Sequence, residues 1–338
     1  MILAKKVRIY PTKEQEQKLW QSVGTARFIY NYTLAKQEEN YKNGGKFIND
    51  GVIRKELTQL KKSELTWLSE VSNNITKQSV KDACKAYKRF FKSLANKPKF
   101  KSKKKSKPSF YNDPIKLKVK KKKVLIEKVG WIKINEQIPI NVKYNNPRIT
   151  YDNKYWYLSV GIEVDKKQEE LTNISLGIDL GLKELAICSD GKVFKNINKT
   201  KKVKKLENTT KLIYRKLANI RNNYIHQVTT SIVKTKPYRI VIEDLNVSGM
   251  MKNKHLSDSV KKQCFHKFRQ YITYKSELNG IELVVVDRFY PSSKTCNKCG
   301  FIKKDLKLKD RVYRCPHCGA VIDRDLNASL NLSMYKLA

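Results

Sequence analysis

No run of about 18 apolar residues occurs in the 338-residue chain, so nothing in it reads as a membrane-spanning helix. The opening stretch MILAKKVRIYP lacks the long apolar core of a secretory signal, and a cytoplasmic protein is expected. Acidic residues are scarce too. Only 31 Asp and Glu face 72 Lys and Arg, a formal net charge of +41. Such an excess repels itself in a folded chain and is relieved by a polyanion, most commonly nucleic acid. Ribosomal and membrane-surface proteins are also basic. Here, however, the charge is spread along the whole chain among aromatics, including 18 Tyr, which favours a nucleic-acid partner and a place on the nucleoid. Hydrophobic residues make up 40%, enough for a packed core in one large domain or two to three smaller ones. The seven cysteines are not expected to form structural disulfides in the cytoplasm. Four of them fall in two close pairs, which points to metal.

Along the chain, residues 2–10 read as a strand, and Thr12 with Gln15 has capping-box spacing at the start of a helix. Leu19, Val23, Ala26 and Tyr30 continue it as a helical stripe. A second helix is expected over 76–94. Val80, Ala83, Cys84, Tyr87, Phe90, Phe91 and Leu94 form one face, and Lys77, Lys81, Lys85, Lys88 and Arg89 the other. Cys84 is then a buried small hydrophobe. Residues 95–123 are dominated by lysine, serine and proline and cannot bury enough surface to fold alone. They read as a flexible arm that orders on a phosphate backbone. Lys97, Lys99, Lys101, Lys103, Lys104, Lys105 and Lys107 are its candidate contacts, and Phe100, Phe110 and Tyr111 are rings able to stack on bases or anchor the arm.

From 115 to 165 the period becomes two, with strand-like runs at 116–120, 131–134 and 155–160, a small β unit completed by the N-terminal strand. A third pattern begins at 174. Ile174–Asp179 is a buried-type strand, Leu185–Cys188 follows, and Asp190-Gly191 signals a hairpin turn. A long helix is expected over 202–234, a strand over 239–243, a helix over 256–278, a strand over 283–287 and a last helix from about 325.

Two constellations carry chemistry. Cys296-x-x-Cys299 and Cys315-x-x-Cys318 are separated by fifteen residues, and each pair runs into glycine, which lets the backbone wrap tightly round a metal. Four thiolates suit one tetrahedral zinc ion and leave no open position for catalysis, so this zinc is expected to be structural. His317 lies between ligands and is read as exposed or nucleic-acid-contacting rather than as a ligand; Cys188 and Cys264 are read as packing residues. The second constellation is acidic. Asp179 ends one hydrophobic strand, Glu243 ends another, and Asp325 opens the last helix. If the two strands are neighbours, their acidic ends share an edge and the helix brings the third carboxylate alongside. Clustered carboxylates repel unless cations bind them, and hard oxygen donors suit Mg2+ or Mn2+. Two such ions about 3.5–4 Å apart activate water and stabilise the leaving oxygen in phosphodiester cleavage. The bland alternatives remain at this stage: loop-facing carboxylates, Asp325 as a mere helix cap, Asp244 and Asp323 as local competitors, and Asp287 as an extra ligand or a partner of Arg288.

Together these pieces resemble the TnpB family of transposon-encoded RNA-guided nucleases and the related compact type V CRISPR effectors. The resemblance is carried by Gly177-Ile178-Asp179-Leu180-Gly181, Ile242-Glu243-Asp244-Leu245, the stretch Ser293 to Gly300, and Cys315-x-x-Cys318 leading into Asp323-Arg324-Asp325-Leu326-Asn327-Ala328. It covers essentially the whole chain and is most specific from 174 to 335. It implies an α/β, RNase H-like (RuvC) nuclease domain at 171–290 and 321–338, with a zinc-binding insertion at 291–320. It further implies a helical recognition lobe at 11–95, a basic linker at 96–104, and a β-barrel-like wedge formed by 1–10 and 105–170. The family's catalytic positions fall on Asp179, Glu243 and Asp325, and its zinc ligands on the four cysteines. The implied partners are a guide RNA from the transposon end and double-stranded target DNA with a short flanking motif, bound by a monomer. Lys77 and Gln78 are candidates for reading that motif. A transposase acting directly on transposon ends, or a guided repressor that binds without cutting, are the competing expectations.

Overall fold

Val7 and Ile9 alternate with charged neighbours, and the segment forms a strand buried on one face. A computed structural model describes residues 1–152, 154–207, 213–307 and 310–336. The chain divides into two units, Met1–Val164 and Asp165–Ala338.

In the first unit, β1 (Ile2–Tyr10) is followed by α1 (Lys13–Lys42), α2 (Asp50–Leu60) and α3 (Asn73–Phe91). Then come β2 (Ser109–Tyr111), β3 (Lys118–Lys120), β4 (Lys123–Ile126), β5 (Gly130–Ile134), β6 (Tyr144–Asp152) and β7 (Tyr155–Glu163). The sheet order is β2-β6-β7-β1-β5-β4-β3, so the N-terminal strand lies inside the sheet and pairs antiparallel with both β5 and β7. Thr12 and Gln15 close a reciprocal capping box at the start of α1. Leu19, Val23 and Ala26 of that helix join the core of the sheet. Farther along, Ile29 packs with Ile53, Leu57 and Val80 of the other two helices. Cys84 is buried among them.

Two expectations change here. The second clear helix starts three residues earlier than its apolar stripe suggests, because Ser72 caps it. It stops at Phe91 because Ser93 turns left-handed (φ 55°), which leaves Leu94 outside and exposed. Nor is the lysine-rich arm free. The backbone N–H and C=O of Lys101 each bond the side-chain amide of Asn31 (2.8 and 2.9 Å), and Phe110 is buried in the sheet core.

The second unit contains β8 (Thr172–Leu180), β9 (Glu184–Cys188), β10 (Val193–Lys195), α4 (Lys201–Glu207), α5 (Ile213–Val233) and β11 (Pro237–Glu243). It continues with α6 (Val247–Lys252), α7 (Ser257–Gln263), α8 (Phe265–Leu278), β12 (Glu282–Val286), β13 (Val312–Arg314), β14 (Val321–Asp323) and α9 (Arg324–Ser333). The sheet order is β10-β9-β8-β11-β12. β8, β11 and β12 run parallel, while β9 and β10 are antiparallel additions. Leu176, Ile178, Ile240 and Ile242 point to one face and pack on α5 and α8 through Ile225, Val228, Ile232, Phe268 and Ile272. Each such side chain contributes about 1.5–3 kcal/mol on burial. Strand period places Gly177, Asp179, Val241 and Glu243 on the other face, where Val241 meets Leu332 of α9. The expected helix over 256–278 is two, broken where Cys264 takes a left-handed conformation (φ 55°). The long helix over 202–234 corresponds to α4 and α5, and residues 208–212 between them lie outside the described residues. No helix among the described residues is long and apolar enough to cross a membrane.

Candidate active site

The carboxylates are positioned by strand register and by one glycine. β8 and β11 are adjacent, with Ile178 opposite Ile242, so Asp179 and Glu243 follow at the same level on the same face. α9 lies directly on that face. A Cβ on Gly177 would fall 1.9 Å from the Ser329 carbonyl oxygen and 2.4 Å from the Ser333 nitrogen, so only glycine permits this approach. Two residues onward from Gly177 along the strand is about 7 Å. Four residues back from Ser329 along the helix is about 6 Å. Asp325 thereby draws level with Asp179.

The electrostatics record that convergence. The carboxyl of Asp179 is pushed up to about 8, first by burial, then by the negative charges of Glu243 and Asp325; Arg324 offsets part of this. Burial also raises Glu243, while a hydrogen bond donated by the Ser292 hydroxyl holds it down. Asp325 pairs with its neighbour Arg324 (3.1 Å), both being largely buried. The helix cap is Asp323, whose side chain accepts the Asp325 and Leu326 N–H groups (2.9 and 3.1 Å), so Asp325 is not spent on capping. Asp244 is turned away to Arg269 and Arg288, and those bonds lower its pKa. The pairing of Asp287 with Arg288 does not occur: Arg288 goes to Asp244, and Asp287 accepts the Phe289 N–H in a local turn. Glu243 is engaged by Ser292 and Asp325 by Arg324, and the three carboxylates do not lie at direct ligand spacing. Among the described residues, the group of three or more His, Cys, Asp and Glu spaced to hold a metal ion is the four cysteines.

Those cysteines form two matching knuckles. Cys296 N–H bonds the Phe301 carbonyl and Gly300 N–H bonds the Cys296 carbonyl; Cys315 with Ala320 and Gly319 repeats both bonds. Gly300 and Gly319 sit at φ 76° and 70°, the left-handed turn that glycine supplies without strain. Sγ atoms of Cys296 and Cys318, and of Cys299 and Cys315, are 3.6 Å apart, and all four lie within 4.8 Å. A tetrahedral zinc with Zn–S bonds of ~2.3 Å has edges of about 3.8 Å, so the donor set fits. Buried Tyr313 braces the knuckles, its single hydroxyl shared between the Lys294 and Phe301 carbonyls (3.0 and 3.1 Å). His317 is exposed and stacks on Phe301.

Sequence reasoning missed the residues that join this module to the carboxylates. Asn327, fully buried, donates to the Thr295 carbonyl (2.7 Å) and accepts the Asn297 N–H (3.1 Å). Asn331, one turn later, donates to the Ser292 and Thr295 carbonyls (2.6 Å each). Ser292 in turn holds Glu243. The signal was available: two asparagines four apart share one face of the helix whose first turn carries Asp325.

The candidate nucleic-acid contacts lie in the first unit. Gln78 bonds Asp82 (2.9 Å) and lines a basic cavity with Lys81, Lys85, Lys88 and Arg148. Lys77 lines another with Arg54, Lys55 and Lys61. Lys97 pairs with Glu38 (3.1 Å), Lys101 lies over the Tyr30 ring (3.7 Å), and Lys99, Lys103, Lys104, Lys105 and Lys107 are exposed.

Two family models match this chain: a Cas12f1-like TNB domain over residues 265–332, and a helix-turn-helix domain over residues 1–46. The second stretch folds here as β1 and the single long helix α1. The chain is similar to the "Putative RNA-guided DNA endonuclease InsQ" of Escherichia coli strain K12, 29% identical over 97% of this chain and 90% of the relative. It is also similar to the TnpB-like protein L770 of Acanthamoeba polyphaga mimivirus, 26% identical over 98% of this chain and 72% of the relative. Among solved structures it matches the Cas12f1–sgRNA–target DNA complex at 19% identity and a TM-score of 0.41, covering all of both chains. The sequence matches run nearly end to end, and the relatives that this chain resembles carry the names "Putative RNA-guided DNA endonuclease" and "TnpB-like protein".

Proposed function

We propose that this protein is an RNA-guided DNA endonuclease of a transposable element, which hydrolyses target phosphodiester bonds at Asp179, Glu243 and Asp325. What supports the reading is that Asp179 and Glu243 end adjacent strands, that Asp325 opens the helix lying on that face, and that Asp179 is pushed up to about 8 by burial and by the other two. A buried cluster of like charges is costly unless cations neutralise it, so the donor chemistry fits two hard divalent ions. Mg2+ or Mn2+, when bound, supplies stabilisation of developing negative charge and a more acidic water. The protein's own residues do the positioning. Asp179 and Glu243 are fixed by paired strands, Ser292 orients Glu243, and Arg324 tempers the charge on Asp325. The sheet order β10-β9-β8-β11-β12, with helices on both faces, supports an RNase H-like (RuvC) domain. The thiol spacing supports one structural zinc.

In this reading the basic first unit contributes the recognition lobe and wedge that hold guide RNA and the flanking motif of the target duplex. The test is to sequence the RNA that copurifies, then supply a DNA matched to its guide segment. Magnesium-dependent cutting should follow the guide and vanish in Asp179→Ala. A cutting pattern independent of the guide overturns the proposal, and joining of transposon ends without RNA would establish the transposase instead. Tight target binding with no cleavage under any divalent ion would establish the repressor.

A further inference from the structure

The stapled lysine arm encloses something that its sequence does not announce. Together with α1 it forms a cavity of about 400 Å³, lined on the helix side by Trp20, Gly24 and Arg27 and on the arm side by Lys103, Lys104 and Lys107. None of the lining residues is acidic. Trp20 meets Tyr151 and Trp156 edge-on (ring centroids 4.9 and 5.0 Å), and it keeps 39% of its surface exposed. An aromatic ring braced at its edge and open to solvent, ringed by cations, is a stacking platform beside a phosphate site. The arm is held in place for this: Asn31 bonds both backbone groups of Lys101, and Ser102 and Ser106 close the turn between them.

Gly24 gives an independent indication. It sits inside a 30-residue helix, where glycine is less favourable than alanine by about 1 kcal/mol. No packing neighbour requires it, since a Cβ there would meet nothing within 4 Å. Space kept open at the wall of a cationic cavity is space for a ligand to approach the backbone.

We propose that this cavity binds one nucleotide of a single-stranded nucleic acid, its base against Trp20 over Gly24 and its phosphates on Arg27 and the arm lysines. The proposal rests on the reading of the protein as a nucleic-acid-guided nuclease and adds to it a defined site for an unpaired nucleotide. The cavity volume falls within the range of about 300–1,000 Å³ typical of ligand pockets.

The test uses the full chain carrying Asp179→Asn, with two fluorescein-labelled probes, a uridine 12-mer RNA and a thymidine 12-mer DNA, titrated at several salt concentrations. Trp20→Ala should weaken binding by roughly 5- to 150-fold. Arg27→Gln should lower the slope of log affinity against log salt by about 1. Gly24→Leu should raise the melting temperature, because leucine favours helix, and yet weaken binding; a merely structural role would not oppose stability to affinity. The probe whose affinity falls more identifies the natural strand as RNA or DNA. Unchanged affinity and salt slope for both probes in Trp20→Ala and Arg27→Gln would overturn the proposal, as would a stabilised Gly24→Leu that binds normally. Guided cleavage by the unsubstituted protein is scored separately. Normal cleavage with unaltered probe binding in the variants removes the pocket alone. Absent cleavage with weakened probe binding in the variants removes the nuclease reading alone.

Discussion

Replacing Gly177 by alanine should disable the protein through one added methyl group. The new Cβ would stand 1.9 Å from the Ser329 carbonyl oxygen and 2.4 Å from the Ser333 nitrogen, both backbone atoms that cannot rotate away. Ordinary contact begins at 3.4 Å, so α9 must retreat from β8 by about 1.5 Å, the difference between 3.4 and 1.9. Overpacking of this kind costs about 1–3 kcal/mol. For a unit of this size that lowers the melting temperature by roughly 2–4 °C per kcal/mol. The effect on catalysis is larger in proportion. Asp325 rides on the displaced helix while Asp179 and Glu243 stay with the sheet, and a displacement of about 1 Å at a reacting centre can cost on the order of 10²-fold in rate. Differential scanning fluorimetry and single-turnover cleavage, run on one preparation, measure both quantities. A Gly177→Ala protein with the parent's melting temperature and rate would refute the close approach of helix and strand and the positioning argument built on it.

Three further expectations follow from the same contacts. Cys315→Ser, or chelation, should release one zinc per chain by metal analysis and abolish cleavage, because Asn327 and Asn331 tie the knuckle segment and Ser292 to the helix bearing Asp325; loss of zinc with full cleavage would contradict the coupling. Asp323→Ala should cost about 1 kcal/mol of stability through the lost cap, whereas Asp325→Asn should stop cleavage with little change in melting; the reverse pattern would exchange the roles of the two aspartates. Lys275, buried on the hydroxyls of Thr229 and Thr230 and the His226 carbonyl, is pushed down to about 8 by burial from an ordinary 10.5. Between those values the unfolded chain holds the extra proton, so stability should rise as pH increases from 8 to 10.5, by at most about 3 kcal/mol at ~1.36 kcal/mol per pH unit. Lys275→Met should flatten that rise in denaturant titrations.

What the sequence made legible is what local pattern encodes. Ile240-Val241-Ile242 before Glu243, and Leu176-Gly177-Ile178 before Asp179, are short apolar runs that read as strands buried on both faces, and an acid at the end of each is visible without coordinates. The cysteine spacing and following glycines declare their turns in the same way. The arm over 95–123 is not free as its composition suggests, because its anchors are remote. Asn31 lies 70 residues from Lys101, and the bonds between them are to backbone, which no composition reveals. Ser292, Asn327 and Asn331 were missed for a related reason. They are polar residues buried by tertiary contact, and their value comes from carbonyls that only the fold brings opposite them. Cys264 breaks a continuous apolar periodicity with a left-handed residue that is not glycine, so the break carries no sequence signal.

The most direct measurement is single-turnover cleavage by Asp179→Asn, Glu243→Gln, Asp325→Asn and the triple variant on one guided target, with guide binding checked in each. Acting as one unit, each single change should lose on the order of 10⁴-fold or more, and the triple variant should lose scarcely more than any one of them. A single variant that retains guided, magnesium-dependent cutting near the parent rate would place the chemistry elsewhere in the molecule.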